Sequence, residues 1–454
     1  MHERMDREGA EMKTILKTER VISPEVARHA GEEITVSGWL HKKRDLGGVT
    51  FLILRDRCGL VQVLVEEANE RKKLGGLQVG SVLTLRGIVV KDERAVGGAE
   101  IHEPRIMVEV PVEFPSPIEI DKPIDHRPEA LETVFERRVL NIRNLAEMGV
   151  WRIQAGIGDA IREFLAANEF VEFHSPKLLA GSTEGGAEVF RLDYFGQQAT
   201  LAQSAQFYKQ IMVGSLERVF EFGSTYRAEP SMTTRHMTEF ITVDVEIGFI
   251  SGMTELLELM SAMINHVSEA VWSKYERELL ALNATRPVLV GKFPEITVKE
   301  LHELVYRETG QDFRAEKDPS PFEERWVCEY AAKQWGCEAV FITEFPASSM
   351  KFYHYRSETN PEVAERADLI FRGVEIITGS RREHRYHKLV EQLKAMGGDP
   401  ENPGYKYYLQ AFQYGMPNHG GFGLGLERLT QRIIGFRNIK EATLFPRDMK
   451  RLAP

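Results

Sequence analysis

One stretch constrains the fold more than any other: VFEFGSTYRAEPSMTTRHMTEFITVDVEIGF, residues 219 to 249. It opens as an apolar alternating run and closes as a second one, Phe240 to Phe249, with a polar, Pro-broken segment from Ala228 to His236 between them. That pattern predicts two antiparallel strands joined by a long loop. Arg227, Arg235 and His236 lie near the turn, with Glu229 beside them. A hairpin loop needs none of these for stability, although a solvated loop often carries such residues. A triphosphate does need them, as donors that neutralise its oxygens without being consumed.

A second piece, GMPNHGGFGLGLERL, runs from Gly415 to Leu429. Its glycines let a strand pass close to a flat ligand, and LERLTQRII predicts a helix from about Leu426 that carries Arg428. The G-x-G-x-x-G spacing of a dinucleotide site is absent. A third piece, RADLIFRGVEIITGSRREH, sets Asp368 and Glu375 on either side of an Arg-Gly turn. Two carboxylates facing one another across adjacent strands repel unless a cation lies between them, and Mg²⁺ takes oxygen ligands while bridging to phosphate. Pairing with Arg366 or Arg372 is the alternative.

With 454 residues the chain exceeds one ordinary core, so two domains are expected. It has no long apolar run, and its N-terminus is charged rather than signal-like, which predicts a cytoplasmic protein without a membrane segment. Cys58, Cys328 and Cys337 lack metal-ligand spacing and read as buried or free thiols. A net charge of −10 argues mildly against nucleic-acid binding but does not exclude a local basic face.

In chain order, residues 1–30 read as an accessory extension whose first eleven residues precede a plausible start at Met12. Residues 31–113 carry short β-rich runs with Gly turns, the pattern of a small barrel that binds single-stranded nucleic acid. Within it, the basic run from His41 to Arg44, followed by Phe51 and Gln62, fits either an ordinary basic loop with a core Phe or a base-binding face. Residues 114–130 are Pro-rich and read as a hinge. The remainder, 131–454, forms one large domain with an insertion at about 280–340 to which no chemistry is assigned. SSMKF, from Ser348, likewise receives no role.

Taken together, Tyr226 to Glu229, Arg235-His236, Phe240, Asp244, Glu246 and the run Gly423 to Arg428 resemble motifs 2 and 3 of the class II aminoacyl-tRNA synthetases. The helix expected over about Met148–Ala167, with the following strand ending at Pro176, is similar to their motif 1, which builds a homodimer interface. GWLHKKRDLGGVTFLILRDRCGLVQV resembles the anticodon-binding OB domain of the aspartyl, asparaginyl and lysyl subgroup, and NIKEATLFPRDMKRLAP resembles the C-terminus of archaeal-type aspartyl-tRNA synthetases. The resemblance implies an α+β protein: an N-terminal OB-fold β-barrel and a class II catalytic domain on a mainly antiparallel sheet flanked by helices.

It also implies a chemistry: ATP-dependent activation of L-aspartate to aspartyl-adenylate, then transfer to the 3′ end of tRNA(Asp). ATP would meet Arg227, Glu229, Arg235, His236, Phe240, Glu375 and Arg428, with Arg227 and Arg428 catalytic. Aspartate would meet Glu184, Ser204, Gln206, Lys209, Asp244 and Arg382, Lys209 and Arg382 taking its side-chain carboxylate. Mg²⁺ would meet Asp368, Glu375 and Thr378. The anticodon would meet His41, Arg44, Phe51, Gln62 and, in a nearby loop, Arg94. A lone Lys in a first helical turn ordinarily faces solvent, so Lys209 owes its role to the resemblance alone. Asparagine enzymes share the motifs but lack this Lys. His41 stands where enzymes that also charge tRNA(Asn) tend to carry His, which implies a partner amidotransferase acting on the product. A non-charging paralogue would ordinarily have lost a motif arginine or the barrel, and both are present.

Overall fold

The computed structural model describes residues 19–122, 128–181, 188–231 and 233–453. The chain divides into two compact units, residues 1–126 with 140–145, and residues 127–139 with 146–454. The expectation of a disordered tip ahead of Met12 lies outside the described residues.

The first unit is a closed barrel in the order β1-β2-β3-β5-β4. Its strands are β1 (Glu33–Leu46), β2 (Val49–Arg55), β3 (Leu60–Val65), β4 (Val82–Lys91) and β5 (Ala99–Val110). Alternating burial along β2 and β3 sends Leu52, Leu54, Val61 and Val63 inward and leaves Phe51, Ile53, Gln62 and Leu64 outside. Gly38 lies where β1 runs tightest against β2, since a Cβ there would sit 2.5 Å from the Arg55 carbonyl oxygen. The 3₁₀ turn Ser23–His29 is no accessory: Val26 is buried in the barrel core, and Ser23 donates to Asp56 through its backbone N–H at 2.6 Å and its hydroxyl at 2.8 Å. The accessory part of the expected extension therefore ends before Ser23.

In the second unit β6 (Val171–Glu172), β10 (Arg218–Tyr226), β11 (Glu239–Gly248), β12 (Glu295–Thr297), β13 (Ala339–Pro346), β14 (Val363–Phe371), β15 (Val374–Arg381) and β16 (His419–Gly425) form one sheet. Their order is β12-β13-β14-β15-β16-β11-β10-β6. All pairs are antiparallel except those of the short edge strands β12 and β6. β7 (Leu178–Leu179), β8 (Arg191–Tyr194) and β9 (Gln197–Leu201) make a separate small sheet.

Period-two alternation decides what each face of the large sheet holds. Val243, Val245, Phe422 and Leu424 point into a core shared with the helices Leu145–Ala167 and Met253–Ala281. Their neighbours Asp244 and Glu246 therefore face the other way, opposite Gly423 and Gly421. A Cβ on Gly421 would come within 2.1 Å of the Val245 carbonyl and 2.2 Å of Glu246 Oε2, so the glycine run gives the buried carboxylates their room. The region expected as an insertion is continuous with this scaffold, because β12 and β13 extend the sheet and the helix Pro321–Trp335 packs on it. Cys328 fills the core under this helix, and Cys337, just beyond the helix, fills the core shared with Leu145–Ala167 and Met253–Ala281. No helix among the described residues is long and apolar enough to cross a membrane.

Candidate active site

A cavity of about 460 Å³ opens on the polar face of the sheet. It gathers Arg227, Glu229, Arg235, His236, Phe240, Glu375, Thr378 and Arg428 with Ser204, Gln206, Lys209, Asp244 and Arg382, residues spread over more than half of the second unit's sequence. Asp368 is not among the described residues lining it, and Glu184 lies outside the described residues.

At one end the groups are cationic and partly exposed. Arg227 lies over the Phe240 ring, 5.5 Å from its centroid, with Nη1 3.7 Å from Glu229. Glu229 also lies 3.8 Å from His236 Nε2. Burial holds His236 below its ordinary pKa, and Arg428, Arg235 and Arg227 reinforce this against Glu229. The imidazole is therefore a neutral hydrogen-bonding group at neutral pH rather than a fourth cation beside the three arginines. Arg428 starts from the helix Leu426–Ile434 and donates through Nη1 to the Glu375 carbonyl at 3.0 Å and carboxylate at 3.2 Å.

Asp368 pairs across the hairpin with Thr378, while Glu375 lies opposite Ile370 beyond a bulge. The two carboxylates titrate as a pair. Burial and the Glu375 charge push Asp368 up to about 7, against the pull of Arg366, which donates to it at 2.7 and 3.2 Å. Arg428 and Arg366 hold Glu375 below its ordinary value although burial opposes them. The Arg366 contact expected as the alternative to a metal is thus formed, yet an electrostatic conflict between buried Asp368 and half-buried Glu375 remains. No cluster of His, Cys, Asp and Glu among the described residues completes a metal site unaided.

The other end is fully buried. Lys209, on the helix Gln206–Leu216, does not face solvent: it is 1 % exposed and donates to Asp244 at 2.9 Å and to the Phe422 carbonyl at 3.0 Å, with Glu246 3.5 Å away. Burial drives the Asp244 pKa up, but the Lys209 charge and its hydrogen bond prevail, so it lies below the ordinary value. Arg382 donates to Glu246 at 2.9 and 3.3 Å and to the Gly421 carbonyl at 3.0 Å.

Several groups here carry no role in the sequence reading. Glu246 couples both buried cations; its place in the D-V-E alternation was the available signal. Glu324, from the region assigned no chemistry, pairs with Arg235 and accepts from the Glu375 N–H at 3.1 Å. Nothing local marks it, since it lies on a helix some fifty residues before Glu375. Ser349 and Lys351, from the SSMKF run, also line the cavity.

On the barrel, Arg44 is directly opposite Phe51, and Ile53 opposite Gln62, so these residues share the outer face. Gln62 donates to Glu100 at 2.8 Å, and Glu100 meets His102 at the same distance. His41 occupies the bulge in β1, and burial keeps it below its ordinary pKa. Arg94 is highly exposed in the turn after β4 and forks onto Asp92.

Residues 130–449 match the family model of class II tRNA synthetases (D, K and N), and residues 34–109 match that of the OB-fold nucleic acid binding domain. The aspartate–tRNA(Asp/Asn) ligase of Thermus thermophilus is 39 % identical over 96 % of this chain and 100 % of its own. The aspartate–tRNA(Asp) ligase of Pyrococcus abyssi is 38 % identical over 93 % of this chain and 97 % of its own. Among solved structures, asparaginyl-tRNA synthetase of Pyrococcus horikoshii with asparaginyl-adenylate superposes with a TM-score of 0.88 at 30 % identity, covering 96 % of this chain and 100 % of that one. Aspartyl tRNA synthetase of Entamoeba histolytica gives 0.84 at 28 %, covering 97 % and 94 %. The cavity of cations, buried acids and glycines thus lies in a chain whose two parts both match this group along nearly their full length, and the chain belongs to the class II aminoacyl-tRNA synthetases of the aspartyl, lysyl and asparaginyl group.

Proposed function

We propose that the protein activates L-aspartate with ATP and transfers it to tRNA(Asp), and to tRNA(Asn) as well. The observation that carries the amino-acid choice is Lys209, buried beside Arg382 at the closed end of the cavity. Both cations are paired with Asp244 and Glu246. Aspartate brings an ammonium that takes Asp244 and a side-chain carboxylate that takes the charge so released on Lys209, with Arg382 as the planar fork. Asparagine brings the ammonium but a neutral amide in place of the side-chain carboxylate, leaving Lys209 under-paired at a penalty of about 1–3 kcal/mol or more. Pyrophosphate exchange with either amino acid tests this: exchange with asparagine as fast as with aspartate would overturn it. The fold similarity to an asparaginyl enzyme makes that control necessary.

The α-carboxylate of aspartate is ionised at neutral pH and attacks the α-phosphorus of ATP without a protein base, as the bond to the β-phosphate breaks and pyrophosphate leaves in line. Positioning and charge neutralisation are the protein's contribution. Arg227 meets the α-phosphate, Arg428, Arg235 and His236 meet the distal phosphates, Phe240 packs on adenine and Glu229 lies on its side of the site. Glu184, Ser204, Gln206 and Asp244 surround the ammonium. Glu375 and Thr378, with Asp368 behind them, would hold an oxygen-liganded cation such as Mg²⁺, which would neutralise phosphate charge and relieve the conflict between the two acids. The 3′-hydroxyl of the bound tRNA then attacks the aspartyl carbonyl carbon of the anhydride; the ester bond forms, the bond to phosphate breaks, AMP leaves and the hydroxyl proton ends in solvent.

The outer barrel face of Arg44, Phe51 and Gln62 receives the anticodon, with His41 and Arg94 at its margins. Phe51→Ala is expected to weaken tRNA(Asp) binding by roughly ten- to hundredfold, the loss of one stacked base at ~1–3 kcal/mol. Unchanged affinity in filter binding would remove Phe51 from that face. His41 and the Thermus relative, named for both tRNAs, support charging of tRNA(Asn), whose product then needs an amidotransferase. The enzyme works as a cytoplasmic homodimer, built through the segment over the helix Leu145–Ala167 and Pro176 that resembles motif 1.

A further inference from the structure

Behind the closed end of the cavity runs a buried polar chain that none of these roles uses. His419 is fully buried, with Nδ1 2.8 Å from the Pro417 carbonyl oxygen. A carbonyl only accepts, so Nδ1 carries the proton. Burial pushes the ring down to about 4, Arg382 and His384 adding to the effect against Glu246, so it is neutral and Nε2 is a bare acceptor. Gln210, fully buried as well, has Nε2 2.9 Å from His419 Nε2 and must donate there. Its Oε1 consequently faces the other way and accepts from Gln206 Nε2 at 2.9 Å and from the Tyr408 hydroxyl at 3.1 Å. Gln206 lines the cavity, and among the described residues nothing donates to its Oε1.

We propose that Pro417, His419 and Gln210 form a directional hydrogen-bond relay that locks the Gln206 amide with its oxygen available to the α-ammonium of the substrate, which makes Gln210 and His419 positioning residues. The inference rests on the reading of Gln206 as an ammonium ligand. With the chain reversed, His419 would need protons on both nitrogens, and Gln206 would offer N–H groups to an ammonium, a repulsive arrangement. Direction in the chain therefore sets the polarity of the pocket wall, and it originates at a carbonyl more than two hundred residues from Gln206 in sequence.

The test compares L-aspartate with L-malate, whose hydroxyl replaces the ammonium and can donate or accept, so that it is indifferent to an amide flip. Inhibition and KM are measured in pyrophosphate exchange with the full-length protein. Gln210→Met keeps the length of the side chain and removes both ends of the relay. The expected result is an L-aspartate KM raised by about ten- to hundredfold, as for a lost hydrogen bond to a charged group, with the malate inhibition constant moved less than about twofold. Equal weakening of both, or no weakening of aspartate, would overturn the relay. Should Gln210→Met not fold, His419→Phe carries the same test, because it removes the acceptor that orients Gln210. Gln206→Met separates the inference from its premise. If it leaves the ratio of the aspartate KM to the malate inhibition constant unchanged, Gln206 does not meet the ammonium; if it alone raises that ratio and Gln210→Met does not, only the relay fails.

Discussion

Lys209→Leu is expected to abolish measurable aspartate activation and to lower stability by about 3–5 kcal/mol, the usual consequence of removing one partner from a buried ion pair. The side chain is 1 % exposed, and it is the group that holds Asp244 below its ordinary pKa. Without it, burial acts on Asp244 unopposed and drives that pKa up. The sign of the pH dependence follows by linkage. In the native protein Asp244 contributes stability above the ordinary carboxylate pKa that fades as pH falls through its lowered value. In the variant the same group opposes folding above that range and is relieved by protonation below it. The stability gap should therefore be widest at neutral pH and narrow on acidification, as thermal unfolding across pH would show. A gap independent of pH, or full aspartate-dependent exchange, would contradict the placement of Lys209.

Arg227→Ala should behave in the opposite manner. Its side chain is 42 % exposed and makes a long contact with Glu229 and a loose one with the Phe240 ring, so the fold loses little. Adenylate formation is expected to slow by roughly a hundred- to a thousandfold, the scale for removing one donor aimed at developing charge. Arg227→Lys should restore little of it, because an ammonium does not reproduce the planar fork. Near-native exchange rates in Arg227→Ala would assign the α-phosphate to another cation. Together the two variants separate a group that holds the site together from one that acts on the reaction.

The hairpin, the glycine run and the barrel could be read directly, because period-two alternation and special backbone demands are local properties. The helix start at Leu426 and the antiparallel pairing of β10 with β11 followed from such local patterns. The burial of Lys209 was not a local property: a first-turn Lys faces solvent unless remote strands supply carboxylates, and Asp244 and Glu246 lie more than thirty residues away. Glu324 shows the same limit more severely. Its helix carries an ordinary N-cap at Ser320, and only the tertiary fold brings its carboxylate to Arg235. The region 280–340 reads as an insertion because β12 has only three residues, too few for a periodic signal, yet its parallel pairing with β13 makes it part of the sheet. Gln210 and His419 fail for a further reason: the direction of a hydrogen-bond chain exists only once both ends are in place.

The proposed function joins an aspartate-selective pocket to a barrel open to two anticodons. Charging of tRNA(Asp) and tRNA(Asn) transcripts side by side with labelled aspartate, and with labelled asparagine as the control, tests both halves at once. Aspartate on both tRNAs and asparagine on neither is the predicted result. Aspartate on tRNA(Asp) alone would contradict the use of His41, and asparagine on either tRNA would contradict the role given to Lys209.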